Sequence, residues 1–452
     1  MLTSEIFRQY DIRGIVGKDM DDAGVVAIGQ GVGTYLKRLG HTRLTVGRDC
    51  RVSSDAYRNL LIEGLISTGC HIVDIGICTT PMSYFSIRHL KTEGSVMVTA
   101  SHNPPEYNGF KICRGEDSVY GEMLQEIRKI IDAGRFETGA GRVEPYDILN
   151  DYIEYITGNI RLSAPLRIGV DAGNGTAGAV AVPIFKKLGC TVHDIYCDMD
   201  GTFPHHEADP TVAGNMKDLI ALVKEKQLDA GIAFDGDGDR IGVVDKDGSL
   251  VYGDQLLILF AREILSRKPG ATIISEVKCS QTMYNDIKDH GGNAVMYKTG
   301  HSMIKEKMKE TGAELAGEMS GHIFFKDRYF GYDDAVYAAC RLLEILADTK
   351  QSLTALLSNV PKTFNTPEIR VDCPDDQKFD VVRDVTARFR KDYDVIDIDG
   401  ARVLMNDGWG LVRASNTQPA LVLRFEARNE ARLAEIRRTV EAALESIMGE
   451  RR

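Results

Sequence analysis

The sequence predicts an α/β protein of three similar α/β units with mixed sheets, followed by a smaller C-terminal α+β unit. Three observations point there. At 452 residues the chain is too long for one core and has room for three or four domains. Up to about residue 362 one pattern occurs three times, an apolar strand running into a loop of reactive side chains. From about 363 it gives way to short strands joined by turns and closed by a helix with Leu433, Ile436, Val440 and Ile447 on one face. The expected units are 1–149, 150–250, 251–362 and 363–452.

The first unit opens on Phe7-Arg8-Gln9-Tyr10-Asp11-Ile12-Arg13-Gly14, where Tyr10 and Arg13 are candidates to face a cleft. Residues 25–39 have helical periodicity, and their Gly29, Gly31 and Gly33 lack the G-x-G-x-x-G spacing of a dinucleotide loop. Residues 44–49 read as a strand and 56–65 as a helix, expected to form a βαβ unit with a strand at 96–100. Its apolar run Ser95-Val96-Met97-Val98 ends in Thr99-Ala100-Ser101-His102-Asn103-Pro104. A serine at the carboxyl end of such a strand lies where α/β sheets place ligands, so Ser101 is the candidate reactive residue. Asn108-Gly109 is expected to turn the chain toward Phe110-Lys111-Ile112, bringing Lys111 near the site.

The second unit repeats the scheme with a strand at 166–170, a glycine-rich turn at 171–175 and a helix at about 177–188. It ends in Asp235-Gly236-Asp237-Gly238-Asp239-Arg240 between the apolar runs 230–234 and 241–244. Three carboxylates on alternate residues converge on one cation only if the backbone bends sharply, which Gly236 and Gly238 permit. An EF-hand is excluded, because its sixth position would be Arg240 and its twelfth Lys246. Magnesium held by Asp235, Asp237 and Asp239 is the expected chemistry, with a phosphate on Ser101 as a further oxygen ligand. Asp198-Met199-Asp200-Gly201-Thr202 matches the signature of haloacid dehalogenase-type phosphotransferases, but the following Phe203-Pro204-His205-His206 reads as an extended loop.

The third unit has strands at 271–277 and 294–296 and the loops Lys298-Thr299-Gly300-His301-Ser302 and Gly317-Glu318-Met319-Ser320-Gly321-His322. In the last unit, between strands at 410–413 and 421–425, lies Arg413-Ala414-Ser415-Asn416-Thr417-Gln418-Pro419. An arginine, two hydroxyls and an amide in one turn suit a phosphate.

Composition narrows the classes. A formal net charge of −11 argues against nucleic-acid binding, and no apolar run approaches the ~20 residues of a membrane span. Nine scattered cysteines without a Cys-x-x-Cys pair suggest neither disulfides nor zinc. The start Met1-Leu2-Thr3-Ser4-Glu5 lacks the features of a secretory signal, so a cytoplasmic protein is expected.

Taken together, the Ser101, Asp235, Glu318 and Arg413 loops resemble the α-D-phosphohexomutase family over the whole chain. The resemblance is to the bacterial phosphomannomutase/phosphoglucomutase branch, whose loops read Gly-Glu-Met-Ser-Gly-His, as 317–322 do, and Arg-x-Ser-Asn-Thr-x-Pro, as 413–419 do. It implies a heart-shaped monomer around a central cleft, acting on a small phosphosugar. The implied reaction moves phosphate between O6 and O1 of mannose or glucose through a phosphoserine at Ser101. Mg2+ would be the metal, and glucose 1,6-bisphosphate or mannose 1,6-bisphosphate the activator.

By the same resemblance Lys111 and His322 are acid/base candidates, Arg240 holds the intermediate, and His102 and Arg13 lie near the phosphoserine. Tyr10, Lys278, Gly300 and His301 contact substrate. Glu318 and Ser320, in the loop with Met319, Gly321 and His322, bind sugar hydroxyls. Arg413, Ser415, Asn416 and Thr417 grip the phosphate that is not reacting, and the fourth unit is expected to move. Residues 203–210 depart a little from the family form. The phosphoglucosamine mutase branch is disfavoured, since it carries Gln where Met319 stands and Gly where Asn416 stands. A phosphatase built on Asp198 and a non-catalytic sugar-phosphate binder are the rival classes.

Overall fold

A computed structural model describes residues 2–416 and 418–451 and shows three sheets sharing one strand order. In the first, His71–Ile77, Arg43–Arg48 and Gly94–Val98 lie parallel, and Tyr107–Arg114 joins the last of them antiparallel. In the second, Thr191–Ile195, Arg167–Asp171 and Ala230–Phe234 are parallel and Ile241–Asp245 antiparallel. In the third, Asn293–Tyr297, Thr272–Glu276 and Leu315–Gly317 are parallel and Ile323–Phe325 antiparallel. The turn from the third to the fourth strand therefore carries Ser101, then the aspartate triad, then Glu318 and His322. The strands that end in these loops are buried along their whole length, which is why they read as continuous apolar runs.

The C-terminal sheet is antiparallel and six-stranded, with Ala420–Ala427 and Gly408–Ala414 at its centre. Helices Lys378–Phe389 and Glu430–Glu450 enclose its core of Val385, Val403, Leu423, Phe425 and Val440.

Three local expectations are corrected. The helix Ser54–Ser67 leads first into the strand His71–Ile77, a strand absent from the expected βαβ unit, and Gly94–Val98 comes one crossover later. Asn108 and Gly109 are not a turn; they lie inside Tyr107–Arg114, opposite Gly14 and Arg13, and the reversal happens in the loop before it. His301 and Ser302 open the helix His301–Thr311 and do not belong to a loop. The glycines of helix Asp22–Arg38 serve packing: a Cβ on Gly29 would stand 2.4 Å from Leu61 O, in the facing helix Ser54–Ser67.

One apolar core runs through the first three units, from Val73 and Phe85 through Ile168 and Phe234 to Leu259 and Leu343, and the first keeps another around Leu44, Leu61 and Phe110. The fourth has its own, joined to the third by Val277 packed with Trp409 and Leu411. Buried Arg402 crosses this seam, donating to Val277 O (2.5 Å) and Cys279 O (2.9 Å) with its guanidinium 3.9 Å from the Trp409 ring centre. Arg424 donates to Lys278 O at 2.5 Å. Among the described residues no helix is long and apolar enough to cross a membrane, and all nine cysteines are free thiols.

Replacing Arg402 with Met leaves two buried carbonyls without their donor. The expected loss is about 2–3 kcal/mol of stability, read as a lower urea midpoint at unchanged far-UV dichroism; an unchanged midpoint would mean that this arginine does not hold the seam.

Candidate active site

Ser101 lies buried at the end of its strand with φ +52°, a left-handed conformation unusual for a residue with a Cβ. Its Oγ donates to Asp235 Oδ2 at 2.7 Å and lies 3.0 Å from His102 Nδ1. With the hydroxyl proton spent on Asp235, His102 Nδ1 must be the donor in the second contact. Burial, followed by the charges of Arg240 and Arg13, holds His102 well below the usual histidine range. The two loops meet backbone to backbone: a Cβ on Gly236 would stand 2.4 Å from Ser101 O.

Asp235, Asp237 and Asp239 are fully buried, with ligand oxygens that all lie within 4.8 Å of one another. Asp235 Oδ1 accepts from the amides of Asp239 (3.0 Å) and Arg240 (3.1 Å). Lys111 Nζ donates to Asp237 Oδ2 and Asp239 Oδ2, both at 2.6 Å, and Thr80 Oγ1 to Asp237 Oδ2 at 2.5 Å. Asp237 Oδ1 and Asp239 Oδ1 have no hydrogen-bond partner. Buried carboxylate oxygens left open are what a hard divalent cation satisfies, so the residues present fit Mg2+. Burial and the charges of Asp239 and Asp237 push Asp235 well above the carboxylate range. Burial opposes ionisation of Asp237 too, but the Lys111 ammonium and the hydrogen bonds win and hold it low. Lys111 pays the desolvation cost and is still held protonated by Asp237 and Asp239.

Arg240 Nε donates to His322 Nε2 at 3.0 Å, so the neutral His322 ring keeps its proton on Nδ1. That nitrogen lies 3.0 Å from Asp333 Oδ2 and 3.6 Å from Asp239 Oδ1. Asp239, His322 and Asp333 have the proximity of a second metal site, but a protonated Nδ1 cannot ligate. Lys305, 3.2 Å from Asp333 Oδ1, supplies the countercharge, and the His301 ring stacks on His322 at 5.6 Å.

Ser101, His102, Lys111, Arg240 and His322 line one cleft of about 1200 Å3 together with Tyr10, Arg13, Lys278, Gly300, His301, Glu318, Met319, Ser320, Arg413, Ser415 and Asn416, while the three aspartates lie off its lining. Gly321 is not on the lining; it fits against Ile241, where a Cβ would stand 2.3 Å from the Ile241 carbonyl oxygen. Thr417 lies outside the described residues. Arg13 donates to Asn103 Oδ1 (2.6 Å) in the Ser101 loop and to Asp11 Oδ2 (2.5 Å). Glu318 Oε1 accepts from the Gly300 amide at 2.6 Å, and Lys278 Nζ donates to Glu368 Oε1 at 2.7 Å. The Lys278 charge lowers Glu368 to about 2. Buried Arg413 pairs with Asp399 Oδ2 at 3.1 Å and keeps Nη2 without a partner. Tyr10 joins three units, donating to Thr299 O (2.7 Å) and accepting from Asn416 Nδ2 (2.5 Å).

Sequence reasoning missed the groups that hold these residues in place. Glu276 accepts from the Lys278 amide (2.7 Å), Thr299 Oγ1 (3.1 Å) and the Met319 amide (3.2 Å). Lys378 donates to Ser415 O (2.6 Å) and Gln418 O (3.1 Å). Arg51, Asp333 and Lys305 were missed as well. An acid at a strand end, as Glu276 is, was the one available signal; the others sit in stretches without any motif.

Four family models cover the chain in order. Phosphoglucomutase/phosphomannomutase alpha/beta/alpha domain I matches residues 4–138, domain II 150–248, domain III 252–364 and the C-terminal domain 368–443. The chain is 47% identical over 441 residues to a phosphomannomutase/phosphoglucomutase of Pseudomonas putida, covering 96% of this chain and 94% of that one. It is 44% identical to a phosphoglucomutase of Neisseria meningitidis over 98% of both. A crystal structure of a phosphoglucomutase/phosphomannomutase family protein from Burkholderia thailandensis superposes with TM-score 0.93 at 43% identity, covering 99% of this chain and 98% of that one.

Gly236→Ala forces the Ser101 and aspartate loops apart. Turnover is expected to fall roughly 100-fold with the circular dichroism spectrum retained; a variant as active as the parent would show that this close approach is not needed.

Proposed function

Since the chain belongs to the phosphoglucomutase/phosphomannomutase family, we propose that it moves phosphate reversibly between O6 and O1 of a hexose through a phosphoserine at Ser101 and a 1,6-bisphosphate intermediate. It is a hexose phosphomutase, an isomerase. The finer reading is carried by the Ser101 hydroxyl, 2.7 Å from Asp235 of the aspartate cluster and on the wall of a cleft that also holds Glu318 and Arg413.

In the proposed reaction phosphoserine gives its phosphoryl group to the free hydroxyl of a sugar monophosphate. A bond forms from phosphorus to the sugar oxygen and the bond to Ser101 Oγ breaks. His322 takes the hydroxyl proton on Nε2 once Arg240 turns from that nitrogen to the transferring group, and Lys111, held charged, is the acid for the departing serine oxygen. Arg240 and Arg13 grip the transferring group, and His102 Nδ1–H faces the serine oxygen. Asp235, Asp237, Asp239 and Ser101 would hold Mg2+, which when bound supplies neutralisation of charge on the transferring group. Glu318 and Ser320 accept and donate to ring hydroxyls, with Met319 and Gly321 shaping their loop and Tyr10, Lys278, Gly300 and His301 around the sugar. Arg413, Ser415, Asn416 and Thr417 hold the idle phosphate. The bisphosphate then turns over in the cleft and returns its other phosphate to Ser101, a flip that asks the fourth unit to release and regrip. Glucose or mannose 1,6-bisphosphate activates by recharging Ser101, and the enzyme works as a cytoplasmic monomer.

A phosphatase centred on Asp198 lacks support: Asp198 and Asp200 are exposed and off the cleft lining. Ser101→Ala is expected to lower mutase turnover roughly 1000-fold or more while Asp198→Asn keeps most of it; the reverse would favour the phosphatase. Intact-mass measurement should find a fraction carrying one phosphate on Ser101, increased by glucose 1,6-bisphosphate, and a protein that never carries it would be a binder. EDTA should abolish turnover and added Mg2+ restore it. Kinetics on mannose 1-phosphate, glucose 1-phosphate and glucosamine 1-phosphate rank the sugars, with glucosamine expected last.

A further inference from the structure

We propose that Arg51 is the positioning residue of the Ser101 loop, and that the turn at residues 198–203, from the second unit, is the strap that keeps it in place. This deepens the reading of Ser101 as phosphoryl carrier and rests on it.

The Arg51 guanidinium is buried and spends itself on backbone. Nη2 donates to Ser101 O (2.8 Å) and Asn103 O (2.5 Å), and Nη1 to Pro104 O (2.7 Å) and Tyr107 O (3.1 Å). Its Nε lies 3.2 Å from buried Asp49 Oδ2, whose partner oxygen accepts from the Arg51 amide (3.0 Å) and Ser54 Oγ (2.5 Å). Four carbonyls of one loop thus aim at one cation, and only a planar fork reaches all of them. Without it the buried Ser101 carbonyl is left without the donor the fork supplies, and Ser101 loses what holds it left-handed.

The strap accounts for the Asp-x-Asp-Gly-Thr stretch, which the proposed chemistry does not use. A Cβ on Gly201 would stand 2.4 Å from Cys50 O and 2.6 Å from Val52 N, so glycine lets the turn press against the residues flanking Arg51. Asp200 Oδ1 fixes the turn by accepting from the Thr202 amide (2.9 Å) and hydroxyl (2.7 Å). Phe203 follows, its ring centre 5.1 Å from the Arg51 guanidinium carbon. Asn174 ties the strap back to its own unit: its Nδ2 donates to Asp198 O (2.9 Å), and its carbonyl accepts from the Asp200 amide (3.0 Å) and from Cys50 Sγ (3.4 Å). The phosphoryl-carrying loop of one unit is therefore held by an arginine whose cover comes from the next.

The test uses the full-length Arg51→Lys and Phe203→Ala variants, with amide hydrogen exchange at residues 101–107 and steady-state kinetics as readouts. Lysine keeps the charge but loses the fork, so exchange there should rise about tenfold. Turnover should fall roughly 10- to 100-fold with KM for the sugar phosphate within about twofold, because the groups that bind the sugar are untouched. Phe203→Ala should move both readouts the same way by a smaller factor, about threefold, and decides the matter if Arg51→Lys does not fold. Parental exchange at 101–107 in Arg51→Lys, or a loss appearing only in KM, overturns the positioning role; a Phe203→Ala protein indistinguishable from the parent overturns the strap. The exchange readout does not depend on Ser101 chemistry, so turnover surviving in Ser101→Ala would sink the phosphoserine reading and leave this result standing.

Discussion

Three carboxylates packed within 4.8 Å of one another, with no access to water, set the terms for the rest of the molecule. Desolvation and mutual repulsion both oppose their ionisation, and the penalty for uncompensated buried charge is several kcal/mol per group. The chain answers with a buried lysine shared by two of them, two backbone amides on the third, and a threonine hydroxyl. Two oxygens, Asp237 Oδ1 and Asp239 Oδ1, remain open. The cluster is thus satisfied except at two oxygens, the number of openings a cation held among the three can close.

Such convergence needs loops delivered to one point from separate sheets, and the shared strand order does this. An antiparallel strand following the last parallel one reverses the chain at the same edge in each unit, so three reversals of the same kind face one cleft. The loops then lock to each other through backbone: Gly236 against Ser101, Gly321 against Ile241, and the Arg240–His322 bridge. Positions of side chains are inherited from positions of main chain, which tolerates far less drift.

The sequence carried the strands that end in site loops with little ambiguity, because burial on both faces leaves an unbroken apolar run, as in 230–234. It carried the site loops for the opposite reason, since clustered acids, glycines and hydroxyls are costly unless used. The His71–Ile77 strand was missed because its burial is uneven and its Asp74 and Gly76 break the apolar pattern. Asn108-Gly109 misled because a strand-interior asparagine can satisfy itself locally, as Asn108 Oδ1 does with the Gly109 amide at 2.8 Å. Lys111 was legible as a site residue, and it sits on an interior strand with its side chain buried. Arg51 meets Ser101 50 residues away, Glu276 meets Thr299 23 away and Asp333 meets Lys305 28 away; none belongs to a local pattern, so only tertiary structure reveals them.

The Tyr10 phenol gives the cleft an unequal pair of seams. Between the first and fourth units it contributes a single hydrogen bond, to Asn416, worth about 1 kcal/mol net. The third and fourth units are joined by buried Arg402 and Arg424 and by the Asp399 carboxylate that accepts from the Thr299 amide. One edge is a clasp and the other a spine. Breaking the Tyr10 bond costs less than unmaking the buried arginine contacts, so these contacts resist parting less on one margin than on the other.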